Sequence, residues 1–118
     1  MKEFALIFRT SGNAGADLTP AQMQERMTLW MNWMGSIAAR NQLVSQGNRL
    51  GIKESKTVKA DKTVTDGPYT EVKEFINGYI IVKASSVDEA VDFAKECPIL
   101  YGGGKVEVRP LVTPDNNE

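Results

Sequence analysis

Asp66 carries the clearest chemical potential in this sequence, and its neighbours define two uses for it. In the run Asp66-Gly67-Pro68-Tyr69 the carboxylate is suited to accept backbone N–H bonds and fix a turn, a role that needs no substrate. Presented instead to a cleft lined by apolar and aromatic groups, the same carboxylate would lose solvent, hold its proton more tightly and serve as a general base. Arg9 and Arg109 end two strands expected in the sheet interior. A guanidinium there either clamps a carboxylate or phosphate with two parallel bonds or pairs with a neighbouring acid. Tyr69 and Tyr79 offer hydroxyl donors near a reacting oxygen, or act as core aromatics with one wet end. With Trp33, these residues form the candidate site: Asp66 for catalysis, and Arg9, Trp33, Tyr69, Tyr79 and Arg109 for ligand binding.

Histidine is absent, which excludes Ser-His and Cys-His nucleophiles, an imidazole proton shuttle and a His-liganded zinc. The lone Cys97 cannot form an internal disulfide. It precedes Pro98 at the expected C-terminal end of a helix, where the dipole disfavours a thiolate, so it reads as a packing residue. Gly102-Gly103-Gly104 leads into a strand rather than a helix and lacks a P-loop Lys-Ser pair, so it reads as a flexible lead-in and not a phosphate cradle. Glu71, Lys73 and Glu74 read as a solvated charged face, with a carboxylate-only Mg²⁺ site from Asp66 and Glu71 as the alternative. No metal and no cofactor is expected.

The elements that must position these residues follow from periodicity. Residues 4–9 read as a strand apolar on both faces, with Phe4, Leu6 and Phe8 on one side and Ala5 and Ile7 on the other. Residues 10–17 read as a mobile loop. Thr19-Pro20-Ala21-Gln22 is a capping box with proline at the first helical position. Met23, Met27, Trp30, Met34 and Ile37 then mark the core stripe of a helix expected to run to about Ser45, with Gly47 as its stop. Trp33 lies off the centre of that stripe and is the aromatic better placed for a dimer or ligand contact. Residues 50–58 and 63–66 read as a hairpin of low hydrophobicity, and 74–84 as a strand whose centre, Tyr79-Ile80-Ile81-Val82, is apolar on both faces. Gly78 inside that strand predicts a bulge or a close backbone approach. Ser86-Val87-Asp88-Glu89 starts a second helix that buries Val87, Ala90, Val91 and Ala94 and ends at Pro98; residues 105–109 form a last strand.

This order predicts a ferredoxin-like α+β protomer of βαββαβ type with one extra strand, its two helices lying on one face of an antiparallel sheet. The 118 residues suffice for one domain, taken as residues 1–111, with 112–118 as a polar tail. The two helices cover one sheet face only. The two-sided apolar strands therefore predict a homodimer with facing sheets and a cleft near their edge, the alternative being a hairpin folded over the same face. Fourteen basic and fifteen acidic residues give a net charge of -1, which argues against nucleic acid or anionic lipid as a partner. The apolar run at residues 4–8 is too short for a signal peptide and no stretch is long enough to span a membrane, so a cytoplasmic protein is expected.

Several ordered motifs resemble the YCII-related proteins: Val64-Thr65-Asp66-Gly67-Pro68-Tyr69-Thr70-Glu71-Val72-Lys73-Glu74, Gly78-Tyr79-Ile80-Ile81, Asp88-Glu89-Ala90, Cys97-Pro98 and Gly103-Gly104-Lys105-Val106-Glu107-Val108-Arg109-Pro110. The resemblance is closest to the branch named for its Asp-Gly-Pro-Phe (DGPF) motif, with Tyr69 in place of phenylalanine. It implies a dimeric α+β barrel of ferredoxin-like protomers. For activity it implies either acid/base chemistry of the lyase or isomerase kind on a small metabolite in the dimer cleft, or a non-catalytic binding or regulatory module, with association with the transcription apparatus as one form of the latter. The His-Asp pair suspected in the wider family is reduced here to Asp66 alone.

Overall fold

The computed structural model describes residues 1–11, 18–68 and 74–114. Its elements are β1 (Lys2–Thr10), α1 (Pro20–Ala39), β2 (Leu43–Arg49), β3 (Lys56–Val58), β4 (Val64–Asp66), β5 (Phe75–Ala84), α2 (Val87–Lys95), a 3-10 turn (Pro98–Gly102) and β6 (Lys105–Pro110). Four strands form an antiparallel sheet in the order β2-β5-β1-β6, and β3 and β4 pair separately. This is the ferredoxin-like α+β arrangement: the first strand lies at the centre, between the last two strands of the main sheet.

Local chemistry sets the helix limits. Thr19 Oγ1 accepts the Gln22 N–H at 3.1 Å and Gln22 Oε1 accepts the Thr19 N–H at 2.9 Å, so the expected capping box forms in full. The C-terminus corrects the sequence reading, because α1 stops at Ala39 rather than near Ser45. Asn41 adopts the left-handed conformation at φ 58°, its N–H bonds the Ala38 carbonyl, and the Gln42 N–H bonds the Ile37 carbonyl. Those two bonds satisfy the last carbonyls and turn the chain into β2. Gly47, expected to stop the helix, instead lies inside β2, and residues 50–55 precede the hairpin rather than forming its first strand.

The core lies between the helices and one sheet face. Phe4, Leu6 and Phe8 of β1 and Ile80, Val82 and Ala84 of β5 meet Trp33, Ile37, Ala90 and Phe93 from the helices. Phe8, Trp30 and Trp33 pack edge to face, with centroids 4.9–6.0 Å apart. The expected α1 stripe is buried only in its C-terminal half. Ile37 is buried and Trp30 and Met34 are partly so, but Met23 and Met27 are more than half exposed because they lie one to three turns nearer the N-terminus. Trp33 takes the central place, and in α2 Phe93 does so while Val87 is exposed.

Gln42 is the chief buried polar side chain. Its Nε2 donates to the Lys83 carbonyl at 3.0 Å and to Glu89 Oε1 at 2.8 Å, joining the exit of α1 to the end of β5 and the start of α2. Gly78 shows the close approach expected of it. A Cβ there would lie 2.8 Å from the Asn48 carbonyl oxygen, and the β1–β5 register shifts beside it.

Candidate functional site

Three of the expected site residues converge on the sheet face away from the helices. Because strand side chains alternate, the β1 residues between the buried Phe4, Leu6, Phe8 and Thr10 point the other way: Ala5, Ile7 and Arg9. Ala5 is opposite Ile81 and Arg109, and Ile7 is opposite Tyr79 and Glu107. The result is a half-buried apolar strip of Ala5, Ile7, Tyr79 and Ile81, flanked on the β6 side by charge. On the β2 side Asn48 Nδ2 donates to the Tyr79 hydroxyl at 3.3 Å.

The charged flank is a carboxylate held between two guanidinium groups. Arg9 Nε donates to Glu107 Oε1 at 2.7 Å and Arg109 Nη1 to Glu107 Oε2 at 3.0 Å. Both bonds favour the ionised acid, and Arg9, followed by Arg109, holds Glu107 below the usual carboxylate range. Lys105 closes the end of the strip through a 2.8 Å ion pair with Glu74. Arg109 is 65% exposed at its side chain and spends one Nη on Glu107, which leaves guanidinium surface facing solvent for an anion.

A titration tests this arrangement. A glutamate whose folded pKa is depressed contributes stability above its unfolded value, and that contribution is lost as pH falls through the folded one. Glu89, held low by the Ser85 N–H and then by Gln42, acts in the same direction. The melting temperature should therefore fall as pH drops below the ordinary glutamate value of 4.5. Glu107→Gln should flatten that acid slope without abolishing it, since Glu89 remains; an unchanged slope would mean that the arginines hold Glu107 no better than water does.

The other expected site residues lie elsewhere. Asp66 ends the β3–β4 hairpin, its side chain 90% exposed and its Oδ1 2.6 Å from Lys56 Nζ. The adjoining turn is closed by the Gly67 N–H on the Ser55 carbonyl and by Thr57 Oγ1 on the Gly67 carbonyl. Trp33 lies on the opposite side of the sheet, buried, its indole N–H donating to the Phe93 carbonyl at 2.9 Å. Tyr69 and Glu71 fall outside the described residues, as does most of the 10–17 loop.

Among the described residues, concavities lie away from the open face. One of about 490 Å³ lies between the ends of β1 and β6 and the start of α2, lined by Lys2, Phe4, Ser86 and Pro110. Another, about 240 Å³, lies between the helices and is lined by Trp33, Arg40, Asp92 and Glu96. Neither includes Asp66. Cys97 is buried and desolvation pushes its thiol up to about 12, a value that keeps it protonated and unreactive. Among the described residues no group of three acidic, histidine or cysteine side chains gathers to hold a metal, and no helix is long and apolar enough to cross a membrane.

Glu107 and Asn48 were not singled out from sequence. The alternation of Lys105, Glu107 and Arg109 marks them as one face, but only the β1–β6 register puts Glu107 diagonally across from Arg9.

A four-stranded antiparallel sheet with both helices on one face, and an apolar strip bordered by paired arginines on the other, defines a ferredoxin-like α+β domain. The sequence matches the YCII-related domain over residues 17–113, and the chain belongs to that family. It is also similar to an uncharacterised protein of Rhizobium meliloti (strain 1021), 43% identical over 49 residues. That alignment covers 41% of this chain and 40% of the relative, so the chain is matched to less than half of that protein's length.

Proposed function

We propose that this protein is a homodimer that binds a small anionic metabolite in a cleft between two facing sheets. The observation that carries the reading is the open sheet face, where Ala5, Ile7, Tyr79 and Ile81 form an apolar strip beside Arg9, Glu107 and Arg109. An apolar strip seeks cover from a second surface, and a guanidinium at its border supplies orientation to a carboxylate or phosphate. The Asp66-Gly67-Pro68-Tyr69 motif supports placement in the DGPF branch of the family, and the unpaired, protonated Cys97 is in keeping with a cytoplasmic protein. The near-neutral charge supports no nucleic-acid role.

The pairing of Asp66 with Lys56 inside an exposed hairpin favours binding over catalysis, because an acid/base carboxylate needs a desolvated cleft around it. A thermal-shift screen of small carboxylates and phosphate esters against wild type, Arg109→Gln and Asp66→Asn tests the reading. A ligand at 100 times its dissociation constant should stabilise wild type by about 2.7 kcal/mol. Loss of that shift in Arg109→Gln with retention in Asp66→Asn supports a binding module. Loss in Asp66→Asn as well would justify turnover assays, and no shift with any compound would sink the metabolite reading. Independently, Ile81→Asp should convert a dimer to a monomer in light scattering, since it puts a charge at the centre of the strip.

A further inference from the structure

Among the described residues, the β3–β4 hairpin is held chiefly by its own bonds. Among the described residues, every hydrogen bond and ion pair recorded for residues 52–67 closes within that segment. Its apolar cross-strand pair, Val58 opposite Val64, is 68% and 55% exposed, so its own sheet does not cover it. Leu50 and Ile52, where the hairpin departs, are also exposed. A two-stranded hairpin standing alone is marginal in water, and an uncovered edge of valines is an invitation to pairing. The chain is correspondingly extended, with a radius of gyration of 15.8 Å, against ~13.5 Å for a compact domain of this length.

What covers the hairpin follows from what else is bare on the same chain. The open sheet face spans four strands and the six-residue overlap of β1 with β6. At about 4.8 Å between strands and about 3.3 Å per residue, that window projects roughly 400 Å² per protomer. Two such faces in contact supply about 800 Å², short of the roughly 1,200–2,000 Å² that a stable dimer buries in total, so the sheets alone do not suffice. In a two-fold dimer any contact that one hairpin makes with the other copy is made twice, so a valine pair packed there would add to the buried area twice.

We propose that residues 52–67 form an arm that packs on a second copy of this chain at the edge of the facing sheets, through Val58 and Val64. This rests on the homodimer reading above. In the assembled pair each cleft is then bordered by the arm of the other chain, with the Lys56–Asp66 pair on the solvent side of its rim.

The test combines dimer dissociation constants for wild type, Ile81→Asp and the double variant Val58→Asp/Val64→Asp with amide exchange of residues 56–58 and 64–66 in the wild type across protein concentrations. The arm predicts a double variant that dimerises at least about 30-fold more weakly, and hairpin amides whose protection falls as the dimer is diluted. A dimer constant unchanged in the double variant, or hairpin exchange independent of protein concentration, overturns the arm. Ile81→Asp decides separately whether the sheet-face dimer stands. A wild type that remains monomeric at its solubility limit overturns both. Because exchange is read on unaltered protein, a variant that merely unfolds its hairpin does not obscure the result.

Discussion

Gly47→Ala is expected to lower the melting temperature by roughly 10–20 °C, corresponding to a loss of about 3–5 kcal/mol. Gly47 sits in β2 at φ +61°, and a Cβ built there would overlap the backbone oxygen of Tyr79 and lie 2.7 Å from its carbonyl carbon. Neither atom belongs to a side chain that can swing aside. The strand must leave β5 locally or rotate its backbone, and either movement forfeits ladder bonds and the Asn48–Tyr79 contact. The left-handed conformation itself costs a non-glycine residue about 1–2 kcal/mol. Gly35→Ala provides the contrast: it lies in α1 with nothing within 4 Å of a built Cβ, and should gain about 0.5–1 kcal/mol from helix propensity. Thermal unfolding of both variants decides the matter, and a Gly47→Ala protein melting within a degree or two of wild type would show that β2 is not held against β5 as described.

Trp33 should yield the second large effect, and its two substitutions separate packing from hydrogen bonding. The side chain is 6% exposed, lies edge-on to Phe8 and Trp30, and donates its indole N–H to the Phe93 carbonyl. Trp33→Ala removes the ring from the junction of α1, α2 and the sheet and should cost about 3–5 kcal/mol. Trp33→Phe keeps most of the apolar area and removes one of two donors to the Phe93 carbonyl, which still accepts the Glu96 N–H, so it should cost only about 0.5–1.5 kcal/mol. The ligand role expected from sequence makes the opposite forecast, a protein of near-normal stability that binds poorly. Denaturant unfolding with a parallel binding assay distinguishes the two, and an alanine variant as stable as wild type would remove Trp33 from the core.

The helix starts were legible because a capping box is local chemistry: Thr19 and Gln22 are three residues apart and need no tertiary partner. The two-sided character of β1 and β5 was legible for the same reason, since strand alternation is intrinsic to the backbone. The end of α1 was not. Asn41 supplies the left-handed residue that a glycine usually supplies, and the apolar pattern runs on past it through Leu43 and Val44 into β2 without a break in hydrophobicity. Of the candidate site, the sequence offered residue types only: that Arg9, Tyr79 and Arg109 share a face, and that Glu107 stands between the arginines, depends on register, which the sequence does not display. Trp33 was misplaced because the stripe was centred on the exposed Met23 and Met27, and the true centre is fixed by where the sheet ends beneath the helix.

The strand order carries a consequence for biosynthesis. β1, the first strand of this sheet in chain order, is central, and one of its two edges waits for β6, the last of the sheet. The Arg9–Glu107 bond joins residues 98 positions apart. Until β6 has been synthesised, the edge of β1 that it will pair with stays open, which places closure of the sheet late in the folding of the domain and exposes the half-made sheet to chaperones and to neighbouring chains.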